Sequence, residues 1–320
     1  MDIFLSNQVL IFLFSETLLY LLAIVAFVAS LQILRGWDFG ATTPGQYRLE
    51  KRAFLIVTII QVILWLKIAL LPYFAYTIDK LSLLIPGAMC GAGVIAANPY
   101  GNPLLFGKIM LLFAIGIWLI VNRMDQQAID YPWLRTKFRF FLVIFALLSL
   151  EYGMDIAYFS HISTSDVVQC CSAIFGISGN NPLPFNLTVP LLLAIFYLLY
   201  ALTVLLSIGR QPYLLALASL LFLYFAYQSV VHFFGTYIYQ LPTHKCPFCM
   251  LQREYYYVGY LLWGTLFAGV FFGIANAALR LLTGRERPEL YRNALIFNTF
   301  FVILCTSYVA WYYLKNGVWL

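Results

Sequence analysis

Long apolar stretches separated by short polar segments make up almost the whole chain. Eight of them are long enough to cross the roughly 30 Å apolar core of a bilayer as a helix, which needs about 20 residues. Backbone amides find no water inside lipid, so such stretches are expected to be helical. The sequence therefore predicts an all-α polytopic membrane protein. Its spans are predicted near residues 8–33, 53–77, 103–121, 139–160, 187–208, 213–237, 255–279 and 294–314.

The composition supports this interpretation. Of the 320 residues, 63% are hydrophobic and only 10% are charged, and the mean hydropathy is +0.86. A water-soluble domain usually has about a quarter of its residues charged. The first apolar stretch extends to about Gln32 with no Lys or Arg ahead of it. We therefore expect a retained span there rather than a cleaved export signal.

Positive charges are distributed unevenly between the predicted loops. Most of the 19 Lys and Arg residues fall in the loops that follow the odd-numbered spans. Basic loops generally stay in the cytoplasm. We therefore expect both termini on the extracytoplasmic side. The membrane is expected to be the bacterial inner membrane, so that the outward side is the periplasm. The net charge of +6 then reflects membrane topology, and the predicted partner is the lipid bilayer, with no nucleic acid.

Five of the six cysteines fall in the opposite set of loops. They are Cys90, Cys170, Cys171, Cys246 and Cys249. Disulfides form and persist in the bacterial periplasm, so thiols gathered on that side predict redox or metal chemistry. The sixth, Cys305, lies within the last span, where we expect a small apolar side chain that packs between helices.

Cys246-Pro247-Phe248-Cys249 is the most specific motif in the chain. The spacing brings two sulfur atoms within bonding distance. We expect it at the start of the seventh helix, where free N–H groups and the helix dipole favour a thiolate. The thiolate is the species that attacks a disulfide. His244, Lys245 and Arg253 add positive charge nearby, and three tyrosines that follow predict a position at the lipid–water boundary, where a quinone has access.

A Cys-x-x-Cys spacing also occurs in haem and zinc sites. Haem attachment requires His directly after the second Cys, and Met250 occupies that position. A structural zinc site usually contains a second paired motif. The adjacent Cys170 and Cys171 are not spaced like a second Cys-x-x-Cys motif. Together with Cys90, however, they could complete a set of sulfur ligands for a metal. Redox pair, metal site and structural disulfide therefore stand as alternatives.

Residues 246–253, CPFCMLQR, resemble the signature of the DsbB-type membrane oxidoreductases, in which Cys-x-x-Cys is followed by two residues and then Gln/Glu-Arg. The resemblance extends over the flanking helices, roughly residues 213–314. It implies that Cys246 and Cys249 pass electrons to a quinone, ubiquinone or menaquinone, that is not covalently bound. It also implies that Gln252 and Arg253 belong to the quinone site.

The chain departs from the DsbB type in the order of its cysteines. That family has four helices and a second cysteine pair downstream of the motif, whereas here only two spans follow and the other outward cysteines lie upstream. This order is similar to that of the vitamin K epoxide reductase family. We divide the chain into a five-helix region, residues 1–212, which carries the loop cysteines, and a DsbB-like three-helix region, residues 213–320.

The upstream cysteines are candidate exchange groups. A disulfide between the neighbours Cys170 and Cys171 is strained and therefore readily exchanged. Alternatively, Cys90 pairs with one of them and the other attacks that bond. We count all three with Cys246 and Cys249 as catalytic candidates, and expect a soluble thioredoxin-like periplasmic protein as their partner. Metal binding and structural bonds are the alternatives.

Charged side chains inside a membrane usually carry function. Glu16 and Lys67 lie at similar depth and are predicted to pair. Glu151 and Asp155 share one helix face, either as proton-transfer groups during quinone reduction or as polar residues of a wet vestibule. His232 either donates a hydrogen bond to a quinone carbonyl or is satisfied by a neighbouring helix.

Together these features predict an enzyme, a membrane thiol–disulfide oxidoreductase that exchanges electrons between periplasmic thiols and a quinone. The alternative is a transporter or binding protein for a soft metal, copper(I) or mercury(II). His161, His244, Met89 and Met250 would then add ligands to the cysteines. A structural subunit of a respiratory or assembly complex is the third alternative.

Overall fold

Long helices dominate the structure. The computed structural model describes residues 3–128, 130–169, 174–175 and 183–320, and within them there is no strand. Eight helices in these residues are long and apolar enough to cross a membrane, which confirms the predicted all-α polytopic fold. They are α1 (Asn7–Gly36), α2 (Pro44–Leu81), α3 (Gly101–Gln127), α4 (Leu134–Ser160), α5 (Val189–Ile208), α6 (Pro212–Tyr239), α7 (Val258–Thr283) and α8 (Pro288–Asn316).

Most of the helices begin or end outside the apolar stretches that predicted them. The helix α2 begins at Pro44 rather than near residue 53, and α8 begins at Pro288 rather than near residue 294. Proline is favoured in the first turn of a helix because its fixed φ suits the helix and its missing N–H has no intrahelical partner to lose. Helix starts therefore follow turn chemistry, whereas hydropathy marks only the apolar part.

The helices form two compact units. Unit 1 comprises residues 1–77 and 95–164 and contains α1, α3, α4 and nearly all of α2. Its core includes Ala23, Ala26, Ala29 and Ile33, which recur at helical spacing along α1 and are buried in one cluster with apolar residues of α2, α3 and α4. Small side chains let membrane helices approach closely.

Unit 2 comprises residues 78–94 and 165–320. Within it α5 packs on α6, α6 on α7, α7 on α8 and α8 on α5. Glycines of α7 allow close contact, since a Cβ on Gly269 would lie 2.0 Å from Asn298 Oδ1 of α8. A Cβ on Gly273 would lie 2.1 Å from Ser219 Oγ of α6.

This packing groups the helices differently from the division at residue 212. The helix α5 contacts α6 and α8, so it belongs with the last three helices in unit 2. The segment 78–94, which follows α2 and carries Cys90, also belongs to unit 2. The order of the helices along the chain did not reveal this grouping, because the grouping depends on which helix faces pack together.

The helix α6 is interrupted by a π-helical turn, Val230–Phe234. Gly235 follows the turn, and a Cβ there would lie 2.7 Å from the Val230 carbonyl oxygen, so the wide turn needs glycine at this position. Single π turns are often found at functional sites. This one contains His232.

Candidate functional site: a buried cluster of cysteine sulfurs

Three cysteine sulfurs meet inside unit 2. The Sγ atoms of Cys90 and Cys246 are 3.4 Å apart, and those of Cys90, Cys246 and Cys249 all lie within 4.8 Å of one another. All three side chains are buried. The structure thus brings one of the upstream cysteines directly to the Cys-x-x-Cys motif. Cys170 and Cys171 lie outside the described residues.

The segment carrying Cys90 is held against the motif on both sides of the cysteine. Gln252 Nε2 donates a hydrogen bond of 2.8 Å to Asp79 Oδ1 and a longer one of 3.4 Å to the Met89 carbonyl oxygen. Immediately after Cys90, a Cβ on Gly91 would come within 3.2 Å of the Phe248 ring. Glycine at this position therefore lets the Cys90 segment approach the motif closely.

Side chains of α6 and α7 fix the backbone of the motif. The Tyr239 hydroxyl donates to the Cys246 carbonyl oxygen and accepts from the Met250 N–H at 3.1 Å. Trp263 Nε1 donates to the Pro247 carbonyl oxygen at 3.2 Å. Buried backbone groups need such partners, so these contacts hold the loop without any regular element.

The expectation that the motif opens the seventh helix is wrong. Cys249 begins a short 3₁₀ turn, Cys249–Leu251, and α7 starts only at Val258. Between them, Tyr256 and Tyr257 have φ values of 53° and 55°, in the left-handed region, which interrupts the helix. The dipole of α7 therefore does not act directly on Cys246 or Cys249, because its effect is confined to the first turn.

The residues predicted to bind quinone lie in different environments. Arg253 is exposed, and Gln252 is half-buried and engaged with Asp79. His232 is buried in the π turn of α6, and its Nε2 has no hydrogen-bond partner among the described residues. Gln252 therefore positions the Cys90 segment through its hydrogen bonds. His232 Nε2 is available to form a hydrogen bond with another molecule.

The additional metal ligands considered from the sequence lie in different environments. Met89 is 68% exposed. His161 belongs to unit 1, where its Nδ1 lies 2.8 Å from the Ala157 carbonyl oxygen. His244 is adjacent to the motif, and its ring lies against that of Tyr239. Cys305 is fully buried in α8 of unit 2, as its expected packing role requires.

The predicted ion pair of Glu16 and Lys67 is confirmed, at 2.6 Å, but it is part of a larger cluster within unit 1. Lys67 also pairs with Glu151 at 2.6 Å. Lys108 pairs with Glu151 at 2.6 Å and with Asp155 at 2.8 Å. Sequence reasoning gave no partner to Lys108. Its depth in α3, comparable to that of the other four charges, was the signal that could have found it.

No protein-family model, no curated protein and no solved structure matches this chain.

Proposed function

We propose that this chain is a membrane thiol–disulfide oxidoreductase that exchanges electrons between periplasmic protein thiols and a membrane quinone. The observation that supports this most directly is the buried group of Cys90, Cys246 and Cys249, with all three sulfurs within 4.8 Å. Disulfide exchange requires a third sulfur close to a bonded pair. Three cysteines at this separation supply the bonded pair and the third, attacking sulfur.

The exchange conserves atoms and electrons. When Cys246 and Cys249 form a disulfide, two thiols lose two electrons and two protons, and a quinone gains both and becomes a quinol. The Cys90 thiolate attacks Cys246, whose sulfur is 3.4 Å away. A Cys90–Cys246 bond then forms, the Cys246–Cys249 bond breaks, and Cys249 leaves as a thiolate. The steps are reversible, so either direction of electron flow is compatible with the proposal.

Arg253 and His232 are the residues that would hold the quinone. Arg253 offers an exposed guanidinium, which donates to a quinone carbonyl. The Nε2 of His232, buried without a partner among the described residues, offers a second polar contact. Gln252 does not contact the quinone in this proposal. It positions the Cys90 segment through its hydrogen bond to Asp79.

Exchange with a soluble thioredoxin-like protein is assigned to Cys170 and Cys171, which lie outside the described residues. The reason is the burial of the other three cysteines, which puts their sulfurs out of reach of a folded protein. A relay through more accessible cysteines is required for a client protein to react with the cluster.

The test is quinone reduction by the purified full chain in lipid nanodiscs under anaerobic conditions after treatment with a dithiol. We expect one quinone reduced for every two thiols lost. Cys246→Ser and Cys249→Ser should abolish the reaction, whereas Cys305→Ala, which removes a buried thiol of α8, should retain it. Undiminished quinone reduction by Cys246→Ser would exclude the proposal.

A soft-metal site is the second candidate function, and the same three sulfurs favour it. Thiolates are preferred ligands of copper(I) and mercury(II), and three sulfurs this close can bind one ion together. Anaerobic titration with copper(I) distinguishes the candidates. Tight binding of one ion that is lost in Cys90→Ser, together with no quinone reduction by the parent chain, would favour the metal site.

A further inference from the structure

Unit 1 buries more negative than positive charge at one point. Glu16, Glu151 and Asp155 face Lys67 and Lys108, and all five residues are buried. If every group is ionised, the cluster carries a net charge of −1. An uncompensated charge among membrane-spanning helices is strongly unfavourable, so a further positive charge is needed.

The three carboxylates are not equally stabilised. Glu151 accepts from both Lys67 and Lys108, each at 2.6 Å. Glu16 accepts from Lys67 at 2.6 Å and has its other oxygen 3.9 Å from Lys108.

Asp155 is the least stabilised of the three as a carboxylate. Only its Oδ2 is paired, with Lys108 at 2.8 Å. Its Oδ1 is buried and has no hydrogen-bond partner among the described residues. Burying a charged oxygen without a partner costs more free energy than burying a neutral one. Protonation of Asp155 therefore stabilises the cluster more than protonation of Glu16 or Glu151.

The size of the site limits the positive charge that can enter. The ammonium groups of Lys67 and Lys108 already occupy the space between the carboxylates. The cleft beside them, lined by Glu16, Lys67, Lys108, Glu151 and apolar residues, has room for about one water molecule. Phe12 and Phe74 place their rings 5.0 and 4.8 Å from Lys108 Nζ and fill the space on that side. A proton fits this arrangement, and a hydrated metal ion does not.

We propose that this cluster is a proton-binding site that holds one exchangeable proton on Asp155. The proton comes from water, an O–H bond forms on the carboxyl group, and no electron is transferred. The groups that face Asp155 are Glu16 of α1, Lys67 of α2, Lys108 of α3, and Glu151 and Tyr158 of its own helix. The inference is independent of the redox function proposed for unit 2.

The proposal is tested by infrared spectroscopy of the full chain in lipid nanodiscs at neutral pH. We expect a C=O stretch of a protonated carboxyl group, shifted by ¹³C labelling of aspartate and shifted again in D₂O. This measurement needs no variant. Asp155→Asn, which mimics the neutral acid in size and charge, should then remove the band and remain folded. Glu254→Gln, which alters an exposed carboxylate, should leave the band unchanged.

The absence of a protonated carboxyl band in the parent chain would overturn the proposal. So would a band that persists in Asp155→Asn and disappears in Glu16→Gln, because the proton would then be on another residue. A band that does not shift in D₂O would show that the proton is not exchangeable. Loss of the band on adding Na⁺ at constant pH would identify a cation site instead.

Discussion

Units 1 and 2 both bury polar groups, but they stabilise them in different ways. In unit 1 five charged side chains are joined by ion pairs of 2.6 to 2.8 Å. In unit 2 the described residues give no hydrogen-bond partner to His232 Nε2, Ser229 Oγ or the Asn298 amide, and the reactive atoms are cysteine sulfurs. Most polar atoms of the charge cluster are thus already paired, whereas buried polar atoms without a partner leave hydrogen bonds for another molecule to make. The comparison therefore separates the proposed proton site of unit 1 from the candidate redox site of unit 2.

The largest effect is expected from breaking the charge cluster of unit 1. Lys108→Met leaves Glu151 with one partner and Asp155 with none, so the free energy of unfolding should fall by about 3–5 kcal/mol, as for other broken buried ion pairs. Equilibrium unfolding in mixed detergent micelles measures this loss. Lys51→Met, at an exposed lysine of α2 whose ammonium lies over the Tyr47 ring, serves as the control and should change stability by no more than about 1 kcal/mol. Equal stability of the two variants would mean that the ion pairs do not stabilise unit 1.

The described residues of unit 2 contain no fully buried ion pair, and its helices pack closely through glycines instead. Gly269→Ala places a Cβ 2.0 Å from Asn298 Oδ1, so α7 and α8 must move apart, and we expect a loss of about 1–3 kcal/mol. Gly264→Ala is a matched control on the same helix, since a Cβ there meets no atom within 4 Å. The same unfolding assay compares them. A loss as large in Gly264→Ala would show that helix contact is not the cause.

The smallest effect is expected at the sulfur cluster. Tyr239→Phe removes the hydroxyl that joins the Cys246 carbonyl to the Met250 N–H, and a water molecule can replace part of the lost hydrogen bonding. We expect a cost of about 1 kcal/mol, which makes the open loop about five-fold more populated. The alkylation rate of Cys246 in the reduced protein should rise by the same factor. Tyr257→Phe, at a half-exposed ring, should leave that rate unchanged. No change in Tyr239→Phe would show that the hydroxyl does not hold the loop closed.

Part of the charge cluster of unit 1 could be predicted from the positions of its residues along the predicted spans. Glu16 and Lys67 were predicted to pair because they lie at similar depth in the outer halves of their predicted spans. The depth of Lys108 in α3 made it a candidate partner of Glu151 and Asp155, but depth does not determine the rotation of a helix about its axis, so the contact itself was not predicted. The motif was expected to open a helix, but the left-handed backbone of Tyr256 and Tyr257 has no sequence signal such as glycine.

The sequence by itself determined the eight helices, because lipid offers no partner to the backbone and every long apolar stretch must satisfy its own hydrogen bonds. It also determined the Cys-x-x-Cys spacing, which is local. Only the tertiary structure decided that Cys90 lies 3.4 Å from Cys246, 156 residues away, and that five charges of four helices meet. Such contacts depend on which helix faces pack together, and that choice is a property of the whole unit rather than of any segment.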